Sequence, residues 1–266
     1  MPLLTPRGGL RRRAFLGCLC CAGAAGSARA ASPGDGTPDA LELGTPGMRR
    51  LGPTVWIGQI APSLWLHTTT KKLDDGTWYP CNGLILDQAA GAVMIDTANT
   101  PAQAGTLLAW SAARGHPVTL AVATHFHTDR TGGIAALHAA GIPTLAHPLT
   151  RALAQAHAMP VPEATVFANG LSTPHPDIEL FHPGAGHTRD NITVWLPRAR
   201  VLHGGCLVKS TTAGDLGYLG DARVPAWPAS MRRLAARYPD RARTIPGHGS
   251  IAGDPIAATF ALLAKA

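Results

Sequence analysis

The sequence predicts an α/β domain, and three observations carry that expectation. Short apolar runs rich in β-branched residues, such as residues 92–95 and 117–123, have the length and composition of buried strands. Segments with recognisable helix starts and stops alternate with them. The order of strands and helices also falls into two similar halves, each ending in side chains that can ligate a metal. With 266 residues, 45 % of them hydrophobic, the chain can bury one sizeable core. It shows no linker to a second domain and no solenoid-type repeat.

The first thirty residues are a different material. Arg11-Arg-Arg-Ala-Phe-Leu16 precedes a charge-free stretch to Ala28, and Ala28-Arg-Ala30 gives a small-x-small end. A basic start, a short apolar middle and that ending read as a signal peptide cleaved near Ala30, which implies a periplasmic protein. The apolar run is far short of the ~20 residues of a membrane span, so stable membrane insertion is not expected. Arg12-Arg13-x-Phe15-Leu16 resembles a twin-arginine export signal, with an arginine-rich ordinary signal as the alternative. Setting aside residues 1–30 removes five arginines and leaves 18 basic against 16 acidic side chains, a net +2. The apparent basicity therefore belongs to the signal, and nucleic-acid binding is excluded as the expected function. Of the five cysteines only Cys81 and Cys206 remain, so no disulfide framework follows, although an 81–206 bridge is the structural alternative.

Residues 31–52, rich in Gly, Pro and Ala, read as a flexible lead-in to a domain over 53–266. Strand-like runs follow at 54–60 and 63–69, and Asp75-Gly76 marks a hairpin leading to a strand at 82–87. Residues 92–97 form a buried strand ending in Asp96. Thr100 then supplies an N-cap with Pro101 at the first helical position, for a helix closing near Gly115. After the strand at 117–123, residues 132–140 read as a helix closed by Gly141. Residues 143–146 read as a strand and 148–158 as a helix, followed by strands at 178–182 and 192–196. A glycine-containing loop spans 211–222, a helix 225–238, a strand-like run 244–246 and a closing helix 255–264. His138, His147 and His157 are expected on helices or the surface, and His182 and His203 as structural residues within strands.

The chemistry gathers at residues 124–133, Thr-His-Phe-His-Thr-Asp-Arg-Thr-Gly-Gly, where a buried strand meets a helix. Such junctions are where α/β folds place their chemistry. Alternate residues near a strand end point the same way, so His125 and His127 can face one point while Asp129 swings in. A lone His-x-His is weak among twelve histidines. Here His187 in a Gly-His-Thr-Arg-Asp-Asn segment, Cys206 in Gly-Gly-Cys-Leu-Val-Lys and His248 in Pro-Gly-His-Gly each follow a strand-like run and sit among glycines. Six donors suffice for two zinc ions with open positions, whereas a purely structural site would be closed by four.

With Ile95-Asp-Thr97, the central motif, those three segments and Leu219-Gly-Asp-Ala222 in order, the chain from about Val55 onward resembles the class B metallo-β-lactamases, in the two-zinc subclass with a cysteine ligand. The two similar halves suit that family's four-layer αββα sandwich, with two facing sheets and the site at one edge. The resemblance implies a first zinc on His125, His127 and His187, and a second on Asp129, Cys206 and His248. It implies hydrolysis of the cyclic amide of β-lactam antibiotics by a zinc-bound hydroxide, which Asp129 would orient, and hence antibiotic resistance. None of the eight serines has a lysine three residues on, so the Ser-x-x-Lys route is absent. Lys209 is the natural partner for the substrate carboxylate. Trp78 either supplies the apolar side chain of the family's mobile flap or packs back on the sheet. Asp96 is placed to accept a hydrogen bond from a metal-bound imidazole or from Arg130. Arg130 and Arg189 either add positive field near the mouth or form structural ion pairs. Tyr218 stands where several relatives carry Asn, so an Asn-based contact does not carry over, and its hydroxyl either substitutes or points away. Two alternatives compete. A glyoxalase-II-like thioesterase of the same fold would carry His directly after the motif's aspartate, where this chain has Arg130. A secreted zinc-binding protein without catalysis is the other. The expected partner is a small β-lactam substrate, and nothing demands more than a monomer.

Overall fold

The computed structural model of the protein describes residues 47–266, apart from residues 75 and 165–166. The expected signal segment, the first part of the lead-in and Asp75 of the hairpin signal lie outside the described residues.

Strands of the first half carry apolar residues on both faces. Trp56, Leu64, Leu66, Leu84 and Ile95 share one buried cluster, while Val55, Ile57, Ile85 and Met94 share another. Side chains alternate across a strand, so the two sets face opposite sides and both faces must be covered. The strands are β1 (Arg49–Gly52), β2 (Val55–Ala61), β3 (Leu64–Lys72), β4 (Trp78–Gln88), β5 (Gly91–Ile95), β6 (Val118–Val122), β7 (Thr144–Ala146) and β8 (Glu163–Ala164). They form one sheet in that spatial order, antiparallel up to β5 and parallel beyond it. One outer face is closed by α1 (Pro101–Ala113) and α3 (Ile134–Ala139), which follows the single turn α2 (Thr128–Thr131). Next comes α4 (Pro148–Ala156).

The second sheet contains β9 (Leu171–His175), β10 (Ile178–Phe181), β11 (Thr193–Leu196), β12 (Val201–Gly205) and β13 (Arg243–Pro246), paired in sequence order with only β12 and β13 parallel. Its inner residues Ile178, Leu180, Val194 and Ile245 join the cluster of Trp56 and Leu66, which therefore lies between the sheets. Its outer face packs Leu202 against Trp227, Met231 and Leu234 of α5 (Trp227–Arg237) and Ile256 of α6 (Pro255–Leu263). The layers run helix, sheet, sheet, helix, as expected.

The main departures from the sequence reading have local causes. Residues 49–52 of the lead-in form β1, because they pair with β2 along its free edge. The helix expected over 132–140 forms as α3 but starts two residues later, at Ile134. A Cβ at Gly132 or Gly133 would run into the carbonyl oxygens of Asn99 and Thr97, so the chain there serves close packing. The helix expected from 225 begins as a 3-10 turn, Val224–Ala226. Thr100 does cap α1, accepting from Gln103 N ahead of Pro101.

Candidate metal centre

β6 ends at Val122, and the chain turns through residues 123–127 into α2. Phe126 is buried on one side of this segment, which leaves His125 and His127 on the other. His125 Nε2 and His127 Nδ1 lie 3.1 Å apart. His187, on the loop from β10 to β11, brings its ring centroid to 5.0 and 5.2 Å from theirs, nearly perpendicular to both. The three rings offer nitrogens that all lie within 4.8 Å of one another. Burial holds His125 and His187 well below the ordinary histidine range, so both are neutral with a lone pair to give. His127 Nε2 donates to the Asp221 carboxylate at 2.9 Å, which leaves its Nδ1 lone pair facing the other rings.

A second donor group adjoins the first. Cys206 Sγ lies 2.9 Å from His248 Nε2 and 3.3 Å from Asp129 Oδ2, and His248 Nε2 lies 3.2 Å from Asp129 Oδ2. Cys206 follows Gly205, whose φ of +53° turns the chain off β12 toward the site. His248 Nδ1 donates to Pro80 O at 2.9 Å, which aims Nε2 at the group. Burial raises the Cys206 thiol well above its ordinary range, and Arg130 opposes that shift. Burial would also raise Asp129, but Arg130 and His248 outweigh it and hold the carboxylate well below its ordinary range. Neutral imidazoles beside a carboxylate and a displaceable thiol proton form a donor set suited to zinc.

Of the two roles read for Arg130, positive field near the mouth or a structural ion pair, the structure has the ion pair, with Asp96. Its guanidinium is fully buried, donating to Asn82 O, Asp96 Oδ2, Gly247 O and Cys206 Sγ. Asp96 accepts from this arginine and from Thr124 N and His203 Nε2, not from any of the six candidate ligands. His203 is thus structural, as expected. His182 is too, since its Nε2 meets Arg189 O and its ring stacks on His147. Arg189 itself is exposed.

A cavity of about 510 Å³ opens over both groups. Its rim includes Lys71, Leu73, Tyr79 and Tyr218, while Trp78 is not part of the lining. Trp78 pairs with Lys72 at the hairpin and packs under that lysine's Nζ. Leu73, at the hairpin tip, is the exposed apolar residue of the rim. Tyr218 is 64 % exposed and sets its ring edge-on to His127 at 5.7 Å. Its hydroxyl lies against Gly220, where no Cβ would fit. Lys209 lines an adjoining cavity of about 230 Å³ with Tyr79 and His248. It is 7 % exposed, packs over Trp227 at 5.3 Å, and burial lowers its amine.

Sequence reasoning gave no site role to Asp221, Tyr79, Cys81 or His157. Asp221 stood inside a quoted motif, so its signal was present. Tyr79 stacks on His248 at 4.2 Å, Cys81 lies beside Asp129 and His248, and His157 reaches the cavity wall from the end of α4. Cys81 and Cys206 are both free thiols, and the 81–206 bridge is not formed.

Residues 76–248 match the family described as the Metallo-beta-lactamase superfamily. A metallo-beta-lactamase type 2 from Bacillus sp. (strain 170) is 36 % identical over 201 residues, 74 % of this chain and 77 % of that protein. Another so named from Bacillus cereus is 35 % identical over 200 residues, 74 % of this chain and 78 % of that protein. Among solved structures, a metallo-beta-lactamase from Erythrobacter litoralis superposes with a TM-score of 0.78 at 38 % identity, covering 82 % of this chain and all of that one. FIM-1 from Pseudomonas aeruginosa, in a mono-zinc form, gives 0.77 at 32 % identity, covering 80 % and 96 %. On this match and on the donor groups that the fold assembles, the chain belongs to the metallo-beta-lactamase superfamily.

Proposed function

We propose that the protein is a zinc-dependent β-lactamase, with His125, His127 and His187 holding one zinc and Asp129, Cys206 and His248 a second. The observation that carries this reading is the meeting of six donor side chains in two adjoining groups, of which His127, His187, Asp129 and His248 line one open cavity. Zinc supplies Lewis-acid polarisation of a carbonyl and a water made acidic near neutral pH.

Hydrolysis adds water across the C–N bond of the cyclic amide, so the carbonyl carbon gains oxygen and the nitrogen gains a proton. The chain's residues position the parts. Asp221 fixes the tautomer of His127 and Pro80 O that of His248, which keeps both lone pairs directed inward. Asp129 reaches both groups, lying 3.8 Å from His125 Nε2 through Oδ1 and 3.2 Å from His248 Nε2 through Oδ2, and it orients the attacking water. Lys209 offers an ammonium to the substrate carboxylate from the adjoining cavity. Leu73 and Tyr218 cover the reacting amide from two sides and exclude bulk water.

The arginine-rich start of the chain supports export to the periplasm with cleavage near Ala30. Among the described residues no helix is long and apolar enough to cross a membrane. One chain supplies all six donors, which fits a monomer. The mass of the protein recovered from a periplasmic fraction tests the cleavage, and an unprocessed cytoplasmic product would refute it.

The decisive experiment is hydrolysis of a chromogenic cephalosporin and a carbapenem by the purified protein with zinc, with a chelator, and with zinc restored. Turnover of both that the chelator abolishes and zinc restores is expected. A zinc-replete protein inert toward both would overturn the reading and turn attention to thioesters.

A further inference from the structure

The second donor group holds one thiol more than the proposed function uses. Cys81 lies on β4 and is 2 % exposed, and its sulfur, an Asp129 oxygen and a His248 nitrogen all lie within 4.8 Å of one another. Cys206 Sγ meets that same carboxylate and that same imidazole from its own loop. Two thiols thus flank one Asp–His pair.

The position of Cys81 is built from both sides along the chain. The preceding residue, Pro80, accepts the hydrogen bond from His248 Nδ1 at 2.9 Å. The following residue, Asn82, takes Gly247 O through its backbone N–H at 2.8 Å, and Pro246 O and Gly249 O through its side chain at 3.1 and 2.8 Å. Its Oδ1 accepts from Thr68 at 2.9 Å. The strand carrying Cys81 is therefore fastened to the loop carrying His248, so sulfur and imidazole keep a fixed relation. The thiol itself rests on Asn99 Oδ1 at 3.3 Å, and Asn99 is in turn anchored to Thr69 Oγ1 at 2.9 Å.

We propose that Cys81 is a further ligand of the second metal, beside Cys206, Asp129 and His248, so that this ion carries two thiolates while the three-histidine group keeps the open position for water. Two ligands of one zinc sit roughly 3.5 Å apart, so the Cys81, Asp129 and His248 atoms, all within 4.8 Å of one another, need close by only about 1 Å. Each thiol gives up a proton as its sulfur joins the cation, and the two thiolates with the Asp129 carboxylate bring three negative charges to a divalent ion. Such a site favours soft, thiophilic cations over the hard ones that a carboxylate and imidazole alone would accept. The inference rests on the reading of Asp129, Cys206 and His248 as metal ligands.

The test uses the full chain, stripped of metal and titrated with cobalt(II), with the near-ultraviolet thiolate-to-cobalt charge-transfer band as the readout. Cys81→Ser and Cys206→Ser are each expected to lower the band by about half, and the double variant to abolish it, because its intensity follows the number of coordinated thiolates. A band unchanged in Cys81→Ser and absent in Cys206→Ser would overturn the proposal while leaving the Cys206 site intact. Cobalt binding with no such band in the unmutated chain would overturn both readings together. Should the buried substitutions impair folding, X-ray absorption on the unmutated cobalt-loaded chain counts sulfurs directly. Two per protein support the proposal, and one refutes it.

Discussion

Arg130 and Asp96 form an ion pair from which water is excluded, with Nη1 3.0 Å from Oδ2 and side chains 0 % and 1 % exposed. Asp96 adopts a φ of +61° to end β5 there, a conformation costing of order 1 kcal/mol for a residue with a Cβ. Its carboxylate recovers this through Thr124 N at 2.8 Å and His203 Nε2 at 2.8 Å. The other side of the guanidinium reaches Asp129 Oδ2 at 3.0 Å and Cys206 Sγ at 3.1 Å, so one arginine joins the end of the first sheet to two candidate ligands. Arg130→Ala is expected to cost about 3–5 kcal/mol in denaturant unfolding, because it strands buried carboxylates without a counter-charge. Arg130→Lys should recover little of this, since an ammonium cannot span partners on both sides. An Arg130→Ala loss below about 1 kcal/mol would refute the bridging role.

Two buried aspartates should give opposite pH signatures. Burial would raise Asp96, but Arg130 and His203 hold it below its ordinary range. Its contribution is therefore present above the unfolded-state value of about 3.9 and is lost as pH falls through the folded one. Asp190 is raised by burial, which outweighs the opposing hydroxyls of Thr150 and Thr188 beside it. The fold is favoured while Asp190 is protonated, and that advantage disappears as pH rises through the folded value. Asp190→Asn should thus stabilise by about 1–3 kcal/mol near neutral pH and by less under acid, while Asp96→Asn should destabilise near neutral pH. Thermal melts of both variants from acid to mildly alkaline pH test the signs, and a neutral-pH loss in Asp190→Asn would contradict them.

The candidate ligands were legible because His187, Cys206 and His248 each follow a strand-like run and sit among glycines, and because His125 and His127 share a parity that strand geometry turns into a shared direction. The pairing of Arg130 with Asp96 was among the roles read for both residues. The rest of its burial was not legible, because Asn82 O, Cys206 and Gly247 O are brought to it only by the folded sheets. The later start of α3, after Gly132 and Gly133, was hidden for the same reason, since the obstructing carbonyls of Thr97 and Asn99 come from another loop. Cys81 carried no signal at all, being a single cysteine in a strand whose neighbour across space is 167 residues further along the chain.

Asp221 offers a test of how the chain directs its ligands. A carboxylate can only accept, so the 2.9 Å contact places the His127 proton on Nε2 and its lone pair on Nδ1. Asp221→Ala frees both tautomers and the ring's orientation, and zinc affinity at the three-histidine group should fall about 10–100-fold. Asp221→Asn retains the shape with a weaker acceptor and should fall between. Competition with a chromogenic chelator measures both, and an unchanged affinity in Asp221→Ala would show that packing alone orients His127.

Lys209 is the one lysine buried beside the donor groups, and its role separates binding from chemistry. Its backbone N–H is held by Thr259 Oγ1 at 2.8 Å and its Nζ lies 5.3 Å over the Trp227 ring, so the ammonium is positioned before substrate arrives. A charge-assisted contact to a carboxylate contributes about 1.5–3 kcal/mol. That contact forms equally in the bound substrate and in the transition state, because the carboxylate is not a reacting group. Lys209→Ala should therefore raise KM by about 10–100-fold with kcat nearly unchanged. Esterifying the substrate carboxylate should produce the same loss in the unmutated enzyme and no further loss in Lys209→Ala. If kcat fell instead while KM held, Lys209 would be acting on the reacting atoms, and the adjoining cavity would not be the carboxylate's seat.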